Sequence, residues 1–202
     1  MAENFSCALV LLAAGGSSRM GRPKQLLPIG NKPLLRHVAE TALSSTAHPT
    51  IVVLGANAAR IRSCLDELPV QVVVNEGWTE GMGSSVRVGI GALAKLSPTA
   101  NGVILALGDQ PKFSAVHVAR LLETHRQTGR TIVASQYRGY LQPPAFFAAR
   151  HFGSLLGLRG DRGARSLFQT YAGEVATMAA DGLCDLDTLT DYANFLKAEK
   201  NI

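Results

Sequence analysis

Cysteine is scarce in this chain: Cys7, Cys64 and Cys184 are odd in number, far apart, and include no Cys-x-x-Cys pair. That excludes a disulfide framework and a cysteine zinc site, and leaves reduced structural thiols. The five histidines (His37, His48, His117, His125, His151) show no His-Glu-x-x-His or similar ligand spacing, so they are expected on surfaces and helix sides without chemistry. No apolar run approaches the roughly 20 residues of a membrane span. Residues 1–6 carry Glu3 and no basic residue before the short apolar run from Cys7 to Ala14. A secretory leader has the opposite pattern, so a cytoplasmic protein away from the membrane is expected. Aromatic residues make up only 6%, and the basic stripe interleaved with aromatics that marks a nucleic-acid binder is missing.

Positive charge is present but gathered. Residues 1–36 hold Arg19, Arg22, Lys24, Lys32 and Arg36 against Glu3 alone, a local excess of +4 in a chain whose net charge is +5. Charge concentrated in one early loop suits a compact anion such as a triphosphate. Hydrophobic residues form 47% of the 202 residues, enough for one packed domain over 1–202 and too many for a disordered chain.

Short apolar runs alternate with helical patterns, as in a mostly parallel sheet covered by helices on both faces. Strands are expected at 8–12, 50–54, 70–74, 103–107, 131–135, 145–148 and 175–178, several as continuous β-branched runs without polar alternation. Helices are expected at 33–43, 58–68, 84–96, 114–127, 163–171 and 188–197, with Ser114 as an N-cap and Pro33 in a first turn. The predicted fold is thus a three-layer α/β/α, Rossmann-like mixed sheet of about seven strands. Ligands of open sheets bind beyond the carboxyl ends of the strands. That rule selects the loops after strand one, after Val74 and after Leu107, and the turn before the last helix.

The first loop reads Leu12-Ala13-Ala14-Gly15-Gly16-Ser17-Ser18-Arg19-Met20-Gly21-Arg22-Pro23-Lys24. Without Cβ atoms, the backbone N–H groups at Gly15 and Gly16 can approach a ligand closely. Arg19 offers a fork and Lys24 a point charge to phosphate oxygens. Gly16 and Gly21 have Walker spacing, but Arg22-Pro23 stands where Lys-Ser/Thr is required, and no GxGxxG turn is present. A flexible turn with solvated basic residues is the bland alternative. After Val74 come Asn75 and then Gly81-Met82-Gly83-Ser84-Ser85, a glycine pair and two hydroxyls at a helix start. Either serine can cap the helix or contact a base edge. Asp109, between Gly108 and Pro111 at a strand tip, is placed either to bind Mg²⁺ or to form a turn. Asp185 and Asp187 precede the last helix, and Asp187 or Thr188 serves as its N-cap unless Asp187 is a second metal ligand. Asp161, Arg162 and Arg165 either face an acceptor or pair with each other.

Taken with Gln25-Leu26-Leu27, the first loop resembles the LAAGxSxRMGxPKxLL signature of the MobA/MocA-like nucleotidyltransferases. These act in molybdenum cofactor maturation and are related to nucleotide-sugar pyrophosphorylases. The resemblance runs on through Asn75 to Arg87 (family N…GMGSSVR) and Gly108-Asp109-Gln110-Pro111 (GDxP). It continues through Gly160 to Arg165 (GDxGAR) and Asp185 to Tyr192 (DIDTPEDY), five motifs in order along nearly the whole chain. It implies transfer of CMP from CTP to the terminal phosphate of the molybdenum–molybdopterin cofactor, with Mg²⁺ as cofactor and pyrophosphate as leaving group. The implied catalytic residues are Arg19, Lys24 and Asp109. Nucleotide binding would fall to Ala13, Ala14, Gly15, Gly16, Arg19, Lys24, Asn75, Gly81, Ser84 and Ser85. The metal would fall to Asp109 and Asp187, and the phosphorylated, pterin-type acceptor to Asp161, Arg162 and Arg165. CTP is favoured over GTP because Ala14 stands where the guanylyl branch has glycine. A molybdoenzyme is the implied protein partner. One departure is Gln142-Pro143-Pro144, where the family has Gly-His-Pro near the acceptor. Two other classes are an NAD(P)-dependent oxidoreductase, which needs a GxGxxG turn that Gly81-Met82-Gly83 does not continue, and a cofactor-carrying chaperone. The joint presence of Lys24 and Asp109 favours a catalyst.

Overall fold

The computed structural model describes residues 5–180 and 182–200; the reading placed on residues 1–4 lies outside them. Among the described residues nine strands occur: β1 Cys7–Ala13, β2 Pro28–Ile29, β3 Lys32–Pro33, β4 Thr50–Leu54, β5 Gln71–Val74, β6 Gly102–Leu107, β7 Ile132–Tyr137, β8 Tyr140–Ala148 and β9 Val175–Ala179. Seven form one sheet in the order β5-β4-β1-β6-β8-β7-β9, and β2 with β3 makes a small hairpin. β1 pairs in parallel with β4 on one side and β6 on the other, while β8 alone runs antiparallel to its neighbours β6 and β7. The expected seven-stranded, mostly parallel sheet is the observed one.

Each strand face has its own core. Leu9, Leu11 and Ala13 pack with Leu35, Val38, Leu121 and Phe195, whereas Ala8, Val10 and Leu12 pack with Val86, Ile90, Leu155 and Phe168. The period of two in a run that is apolar at every position explains the uninterrupted hydrophobic strand, which is buried on both sides. The covering helices are α1 Leu34–Leu43, α2 Ala58–Ile61, α3 Met82–Leu96, α4 Ala115–Thr128, α5 Phe152–Leu156, α6 Arg165–Thr170 and α7 Leu189–Lys200. Among the described residues no helix is long and apolar enough to cross a membrane.

Several expectations need correction. The helix expected over 58–68 is α-helical only to Ile61, continues as a 3₁₀ turn over Arg62–Leu65, and stops where Glu67 takes a left-handed conformation at φ 68°. β8 starts five residues before the expected 145, at Tyr140, because Pro143 and Pro144 sit at an irregularity in its pairing with β7, between Ala145 opposite Ala134 and Gln142 opposite Ser135. Proline has no N–H to give a ladder, and a bulge is where a strand tolerates it. The β2–β3 hairpin and α5 were not foreseen. Ser114 does cap α4, but with His117 as its reciprocal partner at 2.7 Å. His151, expected at a surface, is 2% exposed and lies 2.8 Å from the Thr131 hydroxyl. Burial pushes the Cys7 thiol up to about 12, which keeps it inert at neutral pH.

After β1 the chain passes to β4 and β5 on one side, then crosses back to β6 on the other. The carboxyl ends of β1 and β6 therefore flank the point where strand order reverses, the place such sheets reserve for ligands.

Candidate active site

A cleft of about 840 Å³ opens at that point. Its floor is the loop that leaves β1. Gln25, 3% exposed, folds back beneath this loop and donates through Nε2 to the carbonyls of Ala13 (2.9 Å) and Gly15 (3.0 Å). Ser17, left-handed at φ 55°, accepts the Lys24 backbone N–H at 3.0 Å. With the loop's carbonyls taken from below, the N–H groups of Gly15, Gly16 and Ser18 meet no protein acceptor among the described residues. Successive free N–H groups make a concave seat for an anion.

At the centre the Lys24 ammonium lies 2.5 Å from Asp109 Oδ2 and 2.8 Å from Asp187 Oδ1, and Arg19 reaches Asp187 Oδ2 at 3.1 Å. Burial alone would lower the Lys24 pKa, but the two carboxylates more than offset it, so the ammonium is held charged. Burial, helped by Asp185 and Asp187, pushes Asp109 up despite Lys24. Burial also works against Asp187, yet Lys24 and Arg19 hold it below the ordinary carboxylate range. Asp187 is available to the cleft because Thr188 caps α7: its hydroxyl accepts the Asp191 N–H at 3.1 Å, and Asp191 returns a bond to the Thr188 N–H at 2.8 Å. The fully buried Gln110 donates to Asp185 at 2.9 Å and to the Pro143 carbonyl at 3.2 Å.

Asp109 Oδ1 is buried and has no hydrogen-bond partner. Among the described residues no group of three potential ligands gathers; the two carboxylates that meet at Lys24, Asp109 and Asp187, are the candidate donors, and Asp109 has an oxygen to spare. Mg²⁺ is commonly held by one or two carboxylates plus substrate phosphates and water, and the donor set fits that pattern.

Ala13, Ala14, Gly15, Gly16, Arg19, Lys24, Gly81, Ser85, Asp109, Asp161, Arg162, Arg165 and Asp187 all border the cleft. Asn75 and Ser84 stand behind its wall instead. Asn75 Nδ2 donates to Ser84 Oγ (2.7 Å) and Ser85 Oγ (3.0 Å), and Ser84 Oγ donates to the carbonyls of Gly81 (2.8 Å) and Gly77 (3.1 Å). Both are spent on bracing the loop before α3, which their sequence motif did not reveal. Gly81, at φ 109°, is where that loop meets Asp161 and Gly160; any Cβ there would overlap them. Asp161 makes no ion pair with Arg162 or Arg165 among the described residues, leaving both guanidinium groups to the cleft.

Residues 9–175 match the MobA-like NTP transferase domain. The chain belongs to that family. Purine catabolism protein PucB of Bacillus subtilis is 31% identical over 194 residues, spanning 91% of this chain and 92% of its own length. Nicotine blue oxidoreductase of Paenarthrobacter nicotinovorans is 44% identical over 118 residues, and the matched stretch spans 58% of this chain and 56% of that protein. Rv0371c of Mycobacterium tuberculosis superimposes with a TM-score of 0.84 at 33% identity, over 96% of this chain and 98% of its own. A structure of Rv0371c in complex with manganese gives 0.79 at 31% identity, over 96% and 99%.

Sequence reasoning gave no role to several cleft residues of this family member: Trp78, Met82, Ser166, Gln169 and Asp185. Trp78 was legible as the chain's one tryptophan in a loop already selected. Ser166 and Gln169 were not, because only the packing of α6 brings them to the opening.

Proposed function

We propose that this protein is a nucleotidyltransferase that moves CMP from CTP to the terminal phosphate of a pterin-type acceptor, the molybdenum–molybdopterin cofactor, in the cytoplasm, with release of pyrophosphate. The observation that carries the reading is the convergence of Lys24, Arg19, Asp109 and Asp187 beside the free N–H groups of the glycine loop. An acceptor phosphate monoester has a second pKa of about 6 and brings its own nucleophile at neutral pH. Its oxygen attacks the α-phosphorus while the bond from that phosphorus to the pyrophosphate bridging oxygen breaks, so no protein base is required. The chain's task is alignment and charge neutralisation. The glycine loop seats the polyphosphate, Lys24 and Arg19 neutralise it, and Arg162 with Arg165 holds the acceptor phosphate. Mg²⁺, bound through Asp109 and Asp187, would supply further neutralisation of the departing pyrophosphate; the relative crystallised with manganese supports a divalent ion. Ala14 favours CTP over GTP, and the product would pass to a molybdoenzyme.

The test is pyrophosphate release from CTP, GTP, ATP and UTP with Mg²⁺ and a molybdopterin acceptor preparation. Release with CTP foremost is expected; no release with any triphosphate would sink the proposal. A second reading rests on the 44% identity to a protein named an oxidoreductase. It predicts acceptor-dependent change in nicotinamide absorbance with NADH or NADPH and no pyrophosphate, so the same preparation decides between them.

A further inference from the structure

The cleft has one neutral, aromatic stretch of wall, and one side chain makes it. Trp78 follows β5, lines the cleft and remains 36% exposed. It reaches across two strand ends. A Cβ on Gly55, just past β4, would come within 2.7 Å of the Trp78 Cβ and 2.8 Å of the Ala14 Cβ. A Cβ on Gly16 would come within 3.2 and 3.3 Å of ring atoms Cζ3 and Cη2. Two absent side chains thus let the indole lie across the ends of β4 and β1, against the loop proposed to hold the triphosphate.

The indole is also held in place. The preceding residue, Gly77, is bonded at both polar atoms: its N–H donates to Asn75 Oδ1 at 3.0 Å and its carbonyl accepts from Ser84 Oγ at 3.1 Å. At the other end of the turn, Glu80 is gripped by both terminal nitrogens of Arg87, at 2.6 and 2.8 Å. Asn75 and Ser84 are buried with their polar groups hydrogen-bonded, so the turn that carries the exposed ring is fixed at its start as well as at its end.

We propose that Trp78 is the stacking surface for the nucleotide's base, and that Asn75 and Ser84 are positioning residues that act through it. The charged side chains of the cleft all come from other segments: 19–24, 109, 161–165 and 185–187. A planar uncharged ring therefore finds its match at Trp78, and the base is tethered to a triphosphate seated on the very loop the indole touches. This inference rests on the proposed triphosphate site.

Trp78 is the only tryptophan, so its emission reports directly. With the intact protein, CTP should quench that emission while inorganic tripolyphosphate, which lacks a base, should not. Trp78→Ala should raise the Kd for CTP about 10-fold, within the range for loss of one base–aromatic stack, and leave that for tripolyphosphate unchanged. Trp78→Phe should recover most of the affinity, which guards against a loop that merely collapses. Ser84→Ala should weaken CTP and not tripolyphosphate, a split that general destabilisation would not produce. Calorimetric binding of CTP with unaltered emission and an unaltered Kd in Trp78→Ala would overturn the inference and leave the nucleotidyltransferase reading standing. An effect of Trp78→Ala on acceptor KM alone would also overturn it, assigning the ring to the pterin. Absence of any triphosphate binding would overturn both.

Discussion

On the β5 side the cleft is lined by the uncharged side chains of Trp78, Thr79, Met82 and Ser85, with room for the indole at Gly16 and Gly55, where a Cβ would crowd Trp78. On the β8 side it is Arg162, Arg165 and Gln169, exposed side chains carried by a six-residue helix and the glycine-flanked turn before it. The first wall has a surface determined by close packing, which tolerates little change in volume. The second carries charge on long exposed stems that can adjust to a ligand, with guanidinium forks that match phosphate oxygens in pairs. A rigid neutral wall and an adaptable cationic one suit two substrates of different kind meeting over a shared polar centre.

The largest effect is expected at that centre. Asp109→Asn should lower kcat by about 10²–10³-fold, the scale of one lost electrostatic contact at a transition state. The fold should survive, because Lys24, which loses the charge of Asp109 at 2.5 Å, keeps Asp187 at 2.8 Å; a kinetic assay beside a thermal melt checks both. Activity near that of the unmodified protein would move the chemistry away from the meeting point of the two walls. Next comes the cationic wall itself. Arg162→Ala and Arg165→Ala should each raise acceptor KM by about tenfold, the scale of one charge-assisted hydrogen bond, with the triphosphate Kd unchanged. A changed triphosphate Kd with unchanged acceptor KM would reverse the assignment of the walls.

A smaller effect concerns Asp187, which joins Lys24 and Arg19 at the centre. Ionised Asp187 stabilises the fold above its unfolded-state pKa, because Lys24 and Arg19 more than offset burial and hold its folded pKa lower. That contribution is lost as pH falls through the folded value. Melting temperature followed against pH should therefore decline less steeply at the acid end in Asp187→Asn; an identical acid limb would remove Asp187 from the network. The smallest effect is at Ala14. Its methyl lies against Gly55 and is 5% exposed, so it reaches the base chiefly by supporting the neutral wall. Ala14→Gly should shift the CTP:GTP preference by at most about tenfold, the lower end of what one methyl provides. Competition between the two triphosphates measures it, and a larger shift would mean direct contact.

Periodicity was sufficient to place the seven strands of the main sheet, though not the β2–β3 hairpin or the start of β8, because a run apolar at every position, as in Cys7–Ala13, has few places to go except the middle of a two-faced core. Periodicity and motif order were also sufficient to select the glycine loop and Asp109, whose residue types advertise their chemistry locally, whereas Asp187 stood there equally as a helix cap. Tertiary structure decided what depends on distant partners. Lys24 meets Asp187 across 163 residues, and no local pattern encodes that distance. Asp187 rather than Thr188 faces the cleft because Thr188 and Asp191 satisfy each other at the helix start. Asn75 and Ser84 look in sequence like ligand-binding residues, yet they brace the loop from behind, since a buried amide and hydroxyl must find partners wherever packing puts them. Trp78 stood in a loop the sequence already selected, but its position in the cleft was decided by packing, through the room left by Gly16 and Gly55 in the loops after β1 and β4.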